Sequence, residues 1–246
     1  MNGVKIVKVT DDERAFRRWG NRRSSHAARH LERHLRRLQP EAVVRAALEV
    51  LDRAGLDDLS VRLIAERLGV RGPALYWHFR NKRALLDEMA EAMLADRATE
   101  LGSPAEGELW WEWLARSARW LRRALLAHRD GARVFAGATL PSMPTFLWVM
   151  DLTIGVLRRA GFSWNEALRA LAVVYVYVVG ATIEEQAMPP PGAVETLGGT
   201  LPDRERYPSL AAGFAHFDRD PGALFEHGLR LLLLGLRADR REAPTS

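Results

Sequence analysis

An all-α chain is what this sequence predicts, and three observations carry that reading. Apolar residues return every three or four positions through most of the 246 residues, the mark of amphipathic helices. Strand signals are nearly absent: no run alternates apolar and polar residues, and no pair of such runs is joined by an Asn-Gly turn. Helix punctuation recurs, with proline at Pro40, glycine at Gly69 and cap residues at Ser60, Asn81 and Ser163.

Taken in order, the elements follow from that punctuation. Residues 1–38 form a basic arm. Ser24 to Leu38 has a helical stripe of Leu31, Leu35 and Leu38. Pro40 opens a helix with Val43, Val44, Ala47, Leu48 and Leu51 on one face, ending at Gly55. Ser60 caps Val61 to Leu68, and Gly69 stops it. A short helix is expected from about Gly72 to His78. Asn81 then caps a long helix from Lys82 to about Leu101. Ser103 and Pro104 begin a second region, in which Ala105 to Ala127 reads as one long helix. Ser163-Trp-Asn-Glu166 is a capping box, opening a helix to about Glu185. Met188 to Pro208 is rich in proline and glycine and reads as a long loop. Ala223 to Arg237 is a final amphipathic helix. The expected domains are an arm (1–38), a first helical unit with its connecting helix (39–101), a larger helical unit (102–238) and a polar tail (239–246).

Composition bounds the function. There is no cysteine, which excludes a disulfide framework, a thiolate zinc site and a cysteine nucleophile. The first residues have no apolar core of a secretory signal. Ala170 to Ile183 is apolar but too short to span a bilayer, so it reads as a buried helix. A cytoplasmic protein without a membrane partner is expected. The net charge is +5, and it is uneven. Residues 1–38 hold 11 basic and 4 acidic side chains, residues 39–101 hold 9 and 11, and residues 102–246 hold 16 of each. The excess lies in the arm, where nucleic acid is one natural partner.

The segment Val61 to Met89 joins two short helices through a glycine turn, which is the pattern of a helix-turn-helix. Leu63, Ile64, Leu68, Val70 and Leu75 are positioned to bury the pair against Leu48, Leu51 and Leu59. That leaves Arg62, Arg71, Ala74, Tyr76, Trp77, His78 and Lys82 facing outward. Arginine forks onto guanine. Tyrosine, tryptophan and histidine donate to phosphate, and the amides after Asn81 attract it. The same residues also suit a core with a solvated face.

The stretch AALEVLDRAGLDDLSVRLIAERLGVRGPALYWHFRNKRALLDEMAEAML resembles the DNA-binding domain of the tetracycline-repressor family. The resemblance continues through LLAHRDGARV, GFSWNEAL, IEEQ and LFEHGLRLLLLGL, over roughly residues 40–237. It implies a three-helix helix-turn-helix domain followed by a larger helical domain for ligand binding and dimerisation. It implies operator contacts at Arg62, Pro73, Ala74, Tyr76, Trp77, His78 and Lys82. Tyr76, His78 and Lys82 would hold phosphates, and Arg62 would read a base edge. The tetracycline repressors carry glutamine where this chain has Gly72, so one base reader is missing there, and Arg71 is the candidate replacement.

In the second half, the resemblance implies a small inducer and a homodimer. The Ser163–Glu185 and Ala223–Arg237 helices match those of a dimer bundle, with a stripe of Phe225, Leu229, Leu232, Leu233 and Leu236. The tetracycline repressors hold magnesium through a histidine just after their His-Arg-Asp-Gly segment. Here that segment is His128 to Gly131, and the matching residue is Phe135. The partner acid survives as Glu184. Other drug-contacting positions fall on Thr99, Ser117, Leu121 and Thr153. With the candidate wall residues Trp113, Trp120, Trp148, Tyr175 and Tyr177, this implies a hydrophobic inducer, with no metal and no cofactor.

Other arrangements carry less. His26, His30 and His34 share a helical face without a carboxylate beside them. His128 near Asp130 lacks a nucleophile or paired carboxylates, so catalysis is not expected. The reading is a homodimeric, ligand-responsive repressor acting on a palindromic operator. Its alternatives are an activator or global regulator of the same fold, an all-helical enzyme, and a protein-binding adaptor working through the arm. Turnover would mark the enzyme; loss of all function on removing the arm would mark the adaptor.

Overall fold

The computed structural model describes residues 39–72, 75, 78–188 and 203–242. The helix of the arm and most of the 188–208 loop lie outside these residues. The compact unit runs from Pro40, and its described residues contain helices and no strand.

The helices are α1 (Pro40–Ala54), α2 (Val61–Leu68), α3 (Lys82–Ala95), α4 (Ala98–Leu101), α5 (Trp110–Leu126), α6 (Gly131–Gly137), α7 (Pro144–Arg159), α8 (Trp164–Ala187), α9 (Pro208–His216) and α10 (Pro221–Glu242). In α1, the expected stripe is the buried one: Val43, Val44, Ala47, Leu48 and Leu51 all face inward. Ile64, Leu75 and Leu59 join them, at 1%, 3% and 2% exposure, while Leu63, Leu68 and Val70 are only half-buried.

Three expectations about helix bounds need correction. The long helix from Lys82 ends at Ala95, and a separate short turn of helix covers Ala98–Leu101. Between them, the Arg97 carbonyl accepts the Glu100 amide at 3.0 Å and also the indole N–H of the fully buried Trp120 at 2.7 Å. The helix expected from Ala105 starts at Trp110. Before it, Glu108 accepts the Ala105 amide and pairs with Arg116 at 2.7 Å, forming a turn. The last helix is longer than expected at both ends, Pro221–Glu242. The helices α6, α7 and α9 are additional to the sequence reading.

The second half is built around α5. Its buried face holds Trp113, Leu114, Trp120, Leu121 and Leu125, which meet α6, α7 and α8. Two helices keep an apolar face uncovered. On α8, Trp164, Leu168, Val173 and Val176 are exposed; on α10, Leu224, Leu231 and Leu234 are. The stripe named from sequence on α10 divides differently: Phe225 and Leu229 are core, at 2% and 1% exposure.

The helix α8 has 24 residues, so the fourteen-residue apolar run understated it. Among the described residues, it alone is long and apolar enough to cross a membrane by length and composition. Its apolar character has a local cause: one face packs on α5, α7 and α10 while the other is uncovered.

Candidate nucleic-acid interface and ligand site

The reading head is assembled by caps. Ser60 Oγ accepts the Leu63 amide at 3.4 Å and starts α2. Gly69 ends it in the left-handed region, with φ 66° and ψ 27°, a conformation that strains any residue with a Cβ. Asn81 Oδ1 accepts the Ala84 amide at 2.8 Å and starts α3. Lys82 reaches back and donates to the Leu59 carbonyl at 2.7 Å. One of its three N–H donors is thereby used to fix the side chain, and two remain.

The sequence-named DNA contacts fall as follows. Arg62 projects from α2 with 86% of its side chain exposed, and its Nε donates to Glu66 at 2.9 Å. Arg71 is exposed, and a Cβ at Gly72 would meet nothing within 4 Å. His78 is half-buried, and its Nε2 is screened from solvent without a hydrogen-bond partner among the described residues. Pro73, Ala74, Tyr76 and Trp77 lie outside the described residues. The sequence reading missed Glu66. Its four-residue spacing from Arg62 was the available signal.

The reading head is gripped at two places. The turn His128 to Asp130 holds the end of α1: His128 Nδ1 lies 3.0 Å from Asp52, and the Arg129 amide donates to the same carboxylate at 3.0 Å. Asp130 accepts the Leu56 amide at 2.9 Å, and Arg133 donates to Asp57 at 2.8 Å. The Arg133 guanidinium holds the Asp57 carboxyl below the ordinary carboxylate range. At the other end of α6, Asp87 of α3 accepts the Thr139 amide at 2.8 Å, and Glu91 accepts both the amide and hydroxyl of Thr145. So the His-Arg-Asp-Gly segment is the helix-joining turn expected, and it also clamps α1.

Gln186, near the end of α8, fastens that turn. Its Nε2 donates to the carbonyls of Leu125 and His128 at 3.0 and 2.7 Å, and its Oε1 accepts the Ala132 amide at 3.0 Å. Gln186→Ala removes three half-buried bonds. It is expected to cost about 2–3 kcal/mol, read as a lower urea midpoint at unchanged slope.

The sequence-named ligand residues separate into two groups. Trp113, Ser117, Trp120, Leu121, Phe135 and Thr153 are buried. Of these, Trp113 and Thr153 meet directly, the indole N–H donating to the hydroxyl at 2.9 Å. Trp120 turns its N–H to Arg97. Thr99, Trp148 and Glu184 are exposed. The next residue, Glu185, forms the inward pair, with Arg122 at 2.7 Å. Phe135 forms a ring cluster with Phe146 and Tyr175. Tyr177 points elsewhere and donates to the Phe225 carbonyl at 2.8 Å. A groove of about 390 Å³ lies between α5 and α10, lined by Trp111, Arg119, Arg230, Leu233 and Arg237, and contains none of the expected ligand residues.

A capped helical head joined through α3 to a larger helical half suits a DNA-binding regulator, and no catalytic constellation stands among the described residues. Comparison places it among known proteins. Residues 43–89 match the family of bacterial regulatory proteins of the TetR type, and residues 103–240 match the tetracycline repressor-like C-terminal domain. The class A tetracycline repressor from transposon 1721 of Escherichia coli is 47% identical over 206 residues, 83% of this chain and 93% of that protein. A possible TetR-family regulator from Streptomyces coelicolor A3(2) is 42% identical, with a TM-score of 0.72 over 81% of this chain and 99% of that one. A class A TetR in complex with 5a,6-anhydrotetracycline and magnesium is 41% identical, with a TM-score of 0.60 over 82% and 99%. The chain belongs to the TetR family: it is a ligand-responsive transcriptional repressor, not an enzyme.

Proposed function

We propose that this repressor binds a palindromic operator through Arg62, Arg71, Tyr76, Trp77, His78 and Lys82, with Gly72, Pro73 and Ala74 admitting the DNA backbone. A small hydrophobic inducer, taken up without metal, releases it. The observation that carries the DNA half is the fixed position of Lys82 beside a capped helix N-terminus, with Arg62 free to swing from Glu66 to a base edge. The paired, uncovered faces of α8 and α10 support a homodimer, and a two-fold protein suits a two-fold operator. As a soluble DNA-binding regulator it works in the cytoplasm, on the nucleoid when bound.

Magnesium does not fit these residues. Phe135 has no donor atom and is 1% exposed. Glu184 is exposed on α8, and among the described residues no group of three histidine or acidic side chains could hold an ion. The inducer acts through linkage. If it favours a dimer whose reading heads are wrongly spaced, it weakens operator binding by the same factor that the operator weakens its own binding. Helix α3, gripped through Asp87 and Glu91, is the part that carries the motion.

The test is fluorescence-anisotropy binding to the DNA upstream of the protein's own gene, against random DNA, as a salt series. Tight and selective binding supports the reading; equal binding to both DNAs at all salts refutes it for that site. Removing residues 1–38 takes away 11 basic side chains. It should leave selectivity intact while weakening affinity and flattening the salt dependence. An unchanged salt slope would show that the arm makes no phosphate contact.

A further inference from the structure

Resting on the reading of Arg62 as a base reader, we propose that Glu66 is a specificity-determining residue. It holds Arg62 Nε and so aims the two terminal nitrogens of the guanidinium at a guanine edge rather than at phosphate. Among the described residues, the Arg62 guanidinium makes one hydrogen bond, from Nε to Glu66 Oε1 at 2.9 Å. The first support is that the pair serves no structural purpose. It lies within one helix, so it ties α2 to nothing. Arg67, the other arginine of α2, bonds Glu49 of α1 and does join two helices. Nor does the pair suit the helix that carries it. Arg62 stands in the first turn of α2, at the positive end of the helix dipole, and Glu66 stands nearer the negative end. An acid four residues before a base is the favourable order, and here the order is reversed. Ser60 and Gly69 secure the helix instead. Residues 39–101 already hold 11 acidic side chains against 9 basic ones. A further acid on the face that meets a polyanion lowers affinity, and a gain in selectivity offsets that loss.

The second support is the atom used. Arginine forks onto guanine O6 and N7 with two nitrogens. Glu66 takes Nε and leaves both terminal nitrogens for that fork. Arg62 therefore swings from Glu66 as from a hinge: the end of the guanidinium moves and the Nε bond stays. An untied arginine also reaches phosphates, whose contacts are the same on every sequence. One tied at Nε settles on a phosphate only by giving up a charge-assisted bond. The tie thus lowers binding to random DNA more than binding to the operator, and the ratio between the two rises.

The test uses the full-length protein with Glu66→Ala, Glu66→Gln or Arg62→Ala, and with Glu66→Ala and Arg62→Ala combined. Each protein selects from one pool of random duplexes, and base frequencies are read at every half-site position. Anisotropy on random DNA gives the salt slope, and thermal melting confirms that the heads fold. Glu66→Ala should lower the preference at the position read by Arg62 about three- to tenfold, part of what a bidentate contact discriminates. Its binding to random DNA should tighten, with a salt slope steeper by about one per subunit as Arg62 turns to phosphate. Glu66→Gln keeps an acceptor for Nε and should retain most of the preference. In the Arg62→Ala background, Glu66→Ala should leave base preference unchanged. Wild-type preference in Glu66→Ala, an equal loss in Glu66→Gln, or a loss that persists without Arg62 would overturn the inference. If Arg62→Ala itself keeps every base preference, the base-reading role fails and the inference with it. If Arg62→Ala loses a preference that Glu66→Ala keeps, the inference alone fails.

Discussion

The Arg62→Ala/Lys82→Ala protein should bind its operator about a thousandfold more weakly than wild type, or worse. The size follows from symmetry. An arginine on a base edge is worth roughly ten- to a hundredfold, and a lysine on phosphate several-fold. A dimer loses both twice. The two variants separate in kind. Arg62→Ala should relax base preference at one position in each half-site. Lys82→Ala should weaken all DNAs alike and reduce the salt slope by about one per subunit. Lys82 also bonds the Leu59 carbonyl, so thermal melting must show that the head still folds. A double variant that binds as wild type would remove these two residues from the interface.

Gly131→Ala should be the most damaging small substitution in the ligand half. A Cβ at Gly131 would lie 2.3 Å from the Leu125 carbonyl oxygen. That atom is backbone at the end of α5, and Gln186 holds it in place, so it cannot yield as a side chain tip would. Overpacking of this kind costs about 3 kcal/mol or more, or roughly 6–12 °C in Tm for a chain of this size. Gly137→Ala is the control: the same helix, with nothing within 4 Å of the added atom. Equal melting of the two variants would show that α5 and α6 can shift apart.

Much of the reading head was legible because its signals are local. The caps at Ser60 and Asn81 and the stop at Gly69 lie where the chain spells them. The buried stripe of α1 could be read off its spacing. What escaped depended on distant residues. Just past the break after Ala95, the Arg97 carbonyl takes a bond from Trp120, twenty-three positions away. The short helix α6, seven residues with glycine at each end, has too little periodicity to announce itself. Its meaning lies in Asp52 and Asp57, more than seventy positions away. The ligand residues were the least legible. Sequence matching gives positions, but it does not say whether a side chain there points inward, as Phe135 does, or outward, as Glu184 does.

The uncovered leucines of α10 and the apolar outer face of α8 tie repression to gene dosage. If the species that grips the operator is the pair, its amount at low expression rises as the square of the amount of chain. A twofold fall in synthesis then lifts repression by more than twofold. The same mass action makes the melting temperature rise with protein concentration. A cell that halves its stock of this protein loosens control of the target before any inducer arrives.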